Sequence, residues 1–187
     1  MRTALVVDDE PMIRQQVADT LRKYGFERII EAQNGSDAVV AALSKKPLLI
    51  VMDVTMPVLD GIDATEKISK NAPTPIVLLT GTADADMVEK ARMAGVMSYV
   101  VKPFREEQLL PAVDLAIHQF VEISTLREEV DKLKETLEAR KLIERAKGTL
   151  IKNGLSEPEA YRKMQKIAMD KRKSLKEVAE AILLMEI

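Results

Sequence analysis

The sequence contains no cysteine and no tryptophan, a single histidine, and aromatic residues at only 3% of its 187 positions. Without cysteine there is neither a disulfide framework nor a thiolate metal site, and the single His118 rules out histidine-rich zinc chemistry. Any bound metal must therefore be a hard cation held by oxygen. No apolar run approaches the roughly 18–20 residues of a membrane span. The N-terminal stretch MRTALVVDDEP turns acidic at Asp8 instead of continuing as a signal peptide. A soluble, cytoplasmic chain with no membrane partner is the expectation.

Hydrophobic residues make up 47% of the chain, ample for a packed core, and the length fits one domain plus a smaller module. The net charge of −2 conceals an asymmetry. Residues 1–137 hold 16 Lys+Arg against 22 Asp+Glu, net −6, whereas 138–187 hold 12 against 8, net +4. Two parts with different partners are indicated.

The first 120 residues alternate short apolar runs, ALVV (4–7), RII (28–30), LLIVM (48–52), PIVLL (75–79) and MSYVV (97–101), with longer helical patterns. Runs apolar throughout and separated by helices predict a five-stranded parallel sheet buried on both faces, a doubly wound α/β domain. Pro11 suits a first helical turn, Ser36 can cap a helix after the Asn34-Gly35 turn, and Gly61 follows the 57–60 loop.

In such a sheet ligands bind beyond the carboxyl ends of the strands. Asp8 and Asp9 follow the first run, Asp53 the third, Thr80 the fourth and Lys102 the fifth. Three carboxylates at one edge repel one another unless a divalent cation with oxygen ligands, such as Mg²⁺, compensates them. A phosphoryl group on one carboxylate would meet the metal, an ammonium and a hydroxyl around its oxygens, the electrostatic arrangement phosphoryl transfer requires. A single Asp after a strand is more often a helix cap; five polar residues at one edge are not.

The stretches LVVDDEP, MDVTMPVLDG, LLTG and YVVKPF span the domain, and residues 3–120 resemble the flavodoxin-like receiver domain of two-component response regulators. That resemblance implies Asp53 as phospho-acceptor, Asp9 as a direct Mg²⁺ ligand with Asp8 assisting through water, and Thr55 offering its backbone carbonyl. It further implies that Lys102 pairs with the phosphoryl group, that Thr80 and Tyr99 form the switch, that the Lys102-Pro103 bond is cis, and that a sensor histidine kinase is the donor. No enzymatic function is expected beyond the domain's own phosphorylation and dephosphorylation.

Beyond Arg105 no further strand signal occurs. Ile123, Leu126, Val130, Leu133 and Leu137 alternate in spacings of three and four, a seam of about two heptads. It describes either a dimeric coiled coil, favoured because 115–147 holds no Gly or Pro, or an amphipathic helix lying on its own domain. Three helices follow: the first runs to Lys152 and ends at Asn153-Gly154, and the others open with the capping-box patterns Ser156–Glu159 and Ser174–Glu177. Ala146, Leu150, Ala160, Met164, Ile167, Ala168, Leu175, Val178, Ala179, Ile182 and Leu183 recur at helical spacing and predict one small shared core.

Basic residues are plentiful there, and the run Lys171-Arg172-Lys173 beside a helix start could grip phosphates. A DNA-reading helix-turn-helix is an alternative; against it stands a basic loop expected to be about five residues long. An adaptor that binds protein is a third reading. The segment from ARKLIERAKGTL to LKEVAEAIL resembles the ANTAR domain of transcription antitermination regulators. This implies binding to paired hairpins in a leader transcript, so that a terminator cannot form; a homodimer formed on phosphorylation, which fits the heptad seam, would present one module to each hairpin. Lys147, Arg172 and Lys173 are the candidate RNA contacts. The expected domains are a receiver at 1–121, a helical linker or coiled coil at 122–137 and an ANTAR module at 138–187.

Overall fold

The computed structural model describes residues 1–82 and 84–184. The chain divides into two compact units, Met1–Ser124 and Thr125–Ile187. In the first, five strands, β1 (Thr3–Val7), β2 (Arg28–Ala32), β3 (Leu49–Asp53), β4 (Ile76–Thr80) and β5 (Ser98–Val101), pair in parallel in the order β2-β1-β3-β4-β5. They alternate with α1 (Pro11–Lys23), α2 (Gly35–Lys45), α3 (Gly61–Asn71) and α4 (Ala85–Ala94), and α5 (Glu106–Lys152) follows β5. Because side chains alternate across a strand, each run feeds two cores. Ala4, Val6, Leu49, Val51, Val77 and Leu79 pack with Val17 and Leu21 of α1 and Leu109, Val113 and Ala116 of α5. Leu5, Val7, Ile50, Met52, Ile76 and Leu78 pack with α2, α3 and α4 on the other face. The fold is the doubly wound sheet expected.

Strand limits differ from the sequence runs by a residue or two. Asp53 and Thr80 are the last residues of their strands, not the residues after them, because each still pairs with its neighbour: Asp53 with Leu79 and Thr80 with Val101. One cap is corrected. Asn34, not Ser36, caps α2, its side chain accepting the N–H of Asp37 at 2.9 Å. The helix begins at Gly35, whose N–H is held by the Leu59 carbonyl, and a Cβ there would be driven into that same oxygen.

By length and composition alone α5 could cross a membrane, since one 18-residue window reaches mean hydropathy 1.2. The sheet core, into which Leu109, Ala112, Val113 and Ala116 pack, accounts for apolar residues at its start.

The second unit contains the end of α5 with α6 (Glu157–Lys171) and α7 (Leu175–Leu184). Ala146, Leu150, Ala160, Met164, Val178 and Ala179 form its core, joined by Ile167, Ala168, Leu175, Ile182 and Leu183, so all eleven residues picked by spacing share it. Gly154 adopts φ 96°, the left-handed conformation needed after α5. Glu177 closes a capping box with Ser174, its carboxylate accepting the Ser174 N–H at 2.8 Å while the Ser174 hydroxyl accepts the Glu177 N–H at 3.2 Å. The connection from α6 to α7 is only 172–174, shorter than the loop expected. Arg172, left-handed at φ 51°, turns the chain at once, its N–H bonding back to α6.

Candidate functional site

The strand ends bring Asp8, Asp9, Asp53 and Lys102 together. One ligand atom from each Asp lies within 4.8 Å of the others, with Asp8 and Asp53 buried and Asp9 exposed. The Lys102 ammonium donates to Asp8 Oδ2 at 2.7 Å and lies 2.9 Å from Asp53 Oδ1. Burial pushes the Asp53 carboxyl above its ordinary range, and the nearby Asp8 and Asp9 add to this, outweighing the pull of Lys102. For Lys102 burial acts downward, but its bonds to Asp8 and Asp53 prevail and hold the ammonium above its usual value. One ammonium against three carboxylates leaves two negative charges in a partly buried, oxygen-only cluster. That donor set fits a hard divalent cation such as Mg²⁺.

Two residues the sequence reading did not connect to this site support it. Arg14 on α1 is 7% exposed; its guanidinium donates to the carbonyls of Asp8 at 2.7 Å and Asp9 at 3.3 Å and pairs with Glu31 at 3.1 Å. It thereby pins the backbone that carries both aspartates. Gly61, which follows the 57–60 loop and opens α3, packs against Asp53 itself, for a Cβ there would be driven into the Asp53 carbonyl oxygen, and its N–H donates to the Val54 carbonyl at 2.9 Å. Thr55 lies exposed in the bend after β3. The Thr80 hydroxyl is buried and turned into its own loop, donating to the Thr82 carbonyl and accepting the Thr82 N–H at 3.2 Å. The Lys102-Pro103 bond is cis, as expected. Tyr99, on β5, is 41% exposed and lines a shallow cavity of about 290 Å³ with Val88 and Arg92 of α4 and Leu115 of α5.

In the second unit the three candidate RNA contacts sit in unlike surroundings. Arg172 and Lys173 occupy the α6–α7 turn, exposed, with Lys173 bonded to Glu177 at 2.6 Å. That bond, with those from Ser174, lowers the Glu177 carboxyl to about 2. Lys147 is instead drawn in: its ammonium sits 2.9 Å from Glu157 and 3.1 Å from Glu144, 6.0 Å from the centre of the Tyr161 ring, with its side chain 12% exposed. Bonds to Glu157 first, then Glu144, raise its pKa.

A family model for the response regulator receiver domain matches residues 4–114, and one for the ANTAR domain matches residues 131–183. The chain belongs to the response regulators that carry an ANTAR domain. It is 48% identical over 183 residues to the transcriptional regulatory protein PdtaR of Mycobacterium tuberculosis, an alignment spanning 97% of this chain and 89% of that protein. It is also 36% identical over 115 residues to the chemotaxis protein CheY of Bacillus subtilis, across 61% of this chain and 96% of that one. Among solved structures, the chemotaxis response regulator CheY4 of Vibrio cholerae superposes with a TM-score of 0.58 at 30% identity, covering 62% of this chain and 98% of that chain.

The acidic cluster is thus in the receiver of this response regulator, and the Arg172–Lys173 turn is in its ANTAR domain. Between the two matches α5 continues unbroken, and the heptad residues Ile123, Leu126, Val130, Leu133 and Leu137 are 39–69% exposed in the single chain.

Proposed function

We propose that this response regulator is a phosphorylation-gated RNA-binding antiterminator of the cytoplasm, switched by a sensor histidine kinase. The observation that carries the first half is the cluster of Asp8, Asp9 and Asp53 with Lys102 bonded to two of them. Asp53 Oδ attacks the phosphorus of a kinase phosphohistidine, the P–N bond breaks as the P–O bond forms, and the histidine leaves. Mg²⁺, held by Asp8, Asp9, Asp53 and the Thr55 carbonyl, would supply charge neutralisation for the transferring oxygens. Lys102 exchanges a carboxylate partner for a phosphoryl oxygen. Thr80 releases the Thr82 carbonyl to donate to another, and Tyr99 follows into the space it leaves.

The rearranged face near β4 and β5 then favours dimerisation through the α5 seam, whose exposed leucines support that role. Moving a switch from 1:99 to 99:1 takes about 5.5 kcal/mol of differential stabilisation, so phosphoryl contacts and dimer formation must act together. A dimer presents two ANTAR modules to two hairpins of a leader transcript, and the Lys171–Lys173 turn tracks phosphates. The receiver performs no chemistry beyond its own phosphorylation and dephosphorylation.

The three-residue α6–α7 connection favours a second reading, a DNA-binding activator, since helix-turn-helix motifs use turns of that length. The ANTAR match weighs against it. Acetyl phosphate tests the gate: light scattering should report dimers of the wild-type chain and only monomers of Asp53→Asn. Dimers of the variant on adding the phosphodonor would refute it.

A further inference from the structure

An apolar cavity of about 630 Å³ lies in the receiver unit at the end of the sheet away from Asp53, where Arg2, Leu48 and Pro75 lead into β1, β3 and β4. Its volume is within the range of small-ligand sites, roughly 300–1,000 Å³. Phe26, a member of the sheet core, reaches its wall, with Leu43, Leu48, Ile117 and Phe120 around it. Leu43 and Leu48 are 43% and 55% exposed, so apolar surface there is left open to water. Pro47, Pro73 and Pro75 stiffen the same wall through their fixed φ, and a stiff wall loses little chain entropy when a ligand settles on it.

The charged residues lining this cavity are Arg2 and Lys46, with no carboxylate beside them. Neither forms an ion pair among the described residues, whereas Lys23, Lys102 and Lys147 all do. The Arg2 guanidinium lies over the rings of Phe26 at 4.9 Å and Tyr24 at 5.4 Å, a contact that steadies the group and leaves in-plane N–H donors for an acceptor. Lys46 follows α2 in the left-handed conformation, φ 47°, where glycine would sit without strain. A cation is kept at a position that the backbone would yield to glycine. The carboxyl ends of α2 and α3 also border the cavity, each worth about half a negative charge against two full positive ones. The balance favours an anion, and its head must be held by the two side chains, since helix carbonyls donate nothing to it. Inorganic phosphate would leave the apolar walls unfilled, and a neutral hydrocarbon would leave both cations unanswered.

We propose that this cavity binds a small amphipathic carboxylate, its acid head held by Arg2 and Lys46 and its hydrocarbon body against Leu43, Leu48, Ile117 and Phe120. The site is separate from the acidic cluster, which gathers at the opposite end of the strands, and it does not depend on the RNA-binding reading.

The test is calorimetry of the full chain with decanoate, decanol and decylammonium, each below its micelle concentration: one hydrocarbon body with a negative, a neutral and a positive head. Decanoate should bind at one molecule per chain and roughly tenfold or more tighter than decanol, the scale of one charged hydrogen bond. Decylammonium should bind no tighter than decanol. Arg2→Gln combined with Lys46→Gly should bring decanoate down to the affinity of decanol. Lys46→Gly alone keeps a residue suited to the left-handed turn, so it should weaken decanoate binding without lowering the urea midpoint, which separates loss of the cation from loss of the fold. Leu48→Glu, at an exposed wall position, should abolish decanoate binding and leave the chain folded. Absence of decanoate binding, several molecules per chain, or equal affinity for the three heads would overturn the proposal. Decanoate affinity that survives loss of both cations, or competition by inorganic phosphate, would overturn it too.

Discussion

Replacing Lys102 with methionine removes the only ammonium from a cluster of three carboxylates while keeping the length of the side chain. At an effective dielectric constant of about 20, ion pairs at 2.7 and 2.9 Å are each worth about 6 kcal/mol before desolvation is subtracted, and two carboxylates within 4.8 Å of each other repel by at least about 3.5 kcal/mol. The variant loses the first and keeps the second. Its cost is bounded, however, because one carboxyl can take up a proton instead. From an ordinary pKa of 3.8 this costs about 4 kcal/mol at pH 7 and under about 2 kcal/mol at pH 5, at 1.36 kcal/mol per pH unit. Without metal the receiver should therefore lose about 3–4 kcal/mol at pH 7, and the loss should shrink toward pH 5. The sign follows from linkage: a carboxyl whose folded pKa is raised gives stability that is present in acid and lost as pH climbs through that pKa. Urea unfolding in EDTA at the two pH values measures both numbers, and saturating Mg²⁺ should restore part of the loss. A variant as stable as wild type at pH 7 without metal, or a loss indifferent to pH, would refute the reasoning.

Gly61→Ala should cost about 2–3 kcal/mol and weaken Mg²⁺ binding in calorimetry, because the new methyl can be placed only by shifting the Asp53 backbone. Unchanged Mg²⁺ affinity would separate Gly61 from the site. Asp53→Asn removes a carboxyl that burial holds above its ordinary pKa, so it should raise the thermal midpoint of the metal-free chain at neutral pH. That gain should fade as the pH falls toward 3.8, and Mg²⁺ should no longer raise the midpoint. Leu133→Glu alters a residue 69% exposed in the single chain, so monomer stability should change by no more than about 0.5 kcal/mol. Dimers on adding phosphodonor should disappear, and their persistence would remove the heptad seam from the mechanism.

Much of this was legible because the strands are apolar without interruption and the polar residues at their ends are of few kinds. Asp53 and Lys102 stood out as charges where a buried run stops. Arg14 did not, since four residues into a helix an arginine reads as solvated. Only the tertiary fold turns it back onto the Asp8 carbonyl and across to Glu31. Lys147 shows the same limit. Its pairing with Glu144 is a helical spacing visible in the sequence, but the contact with Glu157 comes from another helix and ties an expected RNA contact into two ion pairs. The α6–α7 turn was read too long because nothing in the residue types announces that Arg172 adopts a left-handed conformation.

The most direct test is the affinity of the full chain for a two-hairpin RNA and for the same sequence as DNA, with and without beryllofluoride bound at Asp53, at two salt concentrations. RNA should be preferred, the preference should grow with beryllofluoride, and log affinity should fall with log salt by about 2 or more, as three phosphate contacts require. Equal or tighter binding of the DNA, or RNA affinity indifferent to beryllofluoride, would contradict a phosphorylation-gated antiterminator.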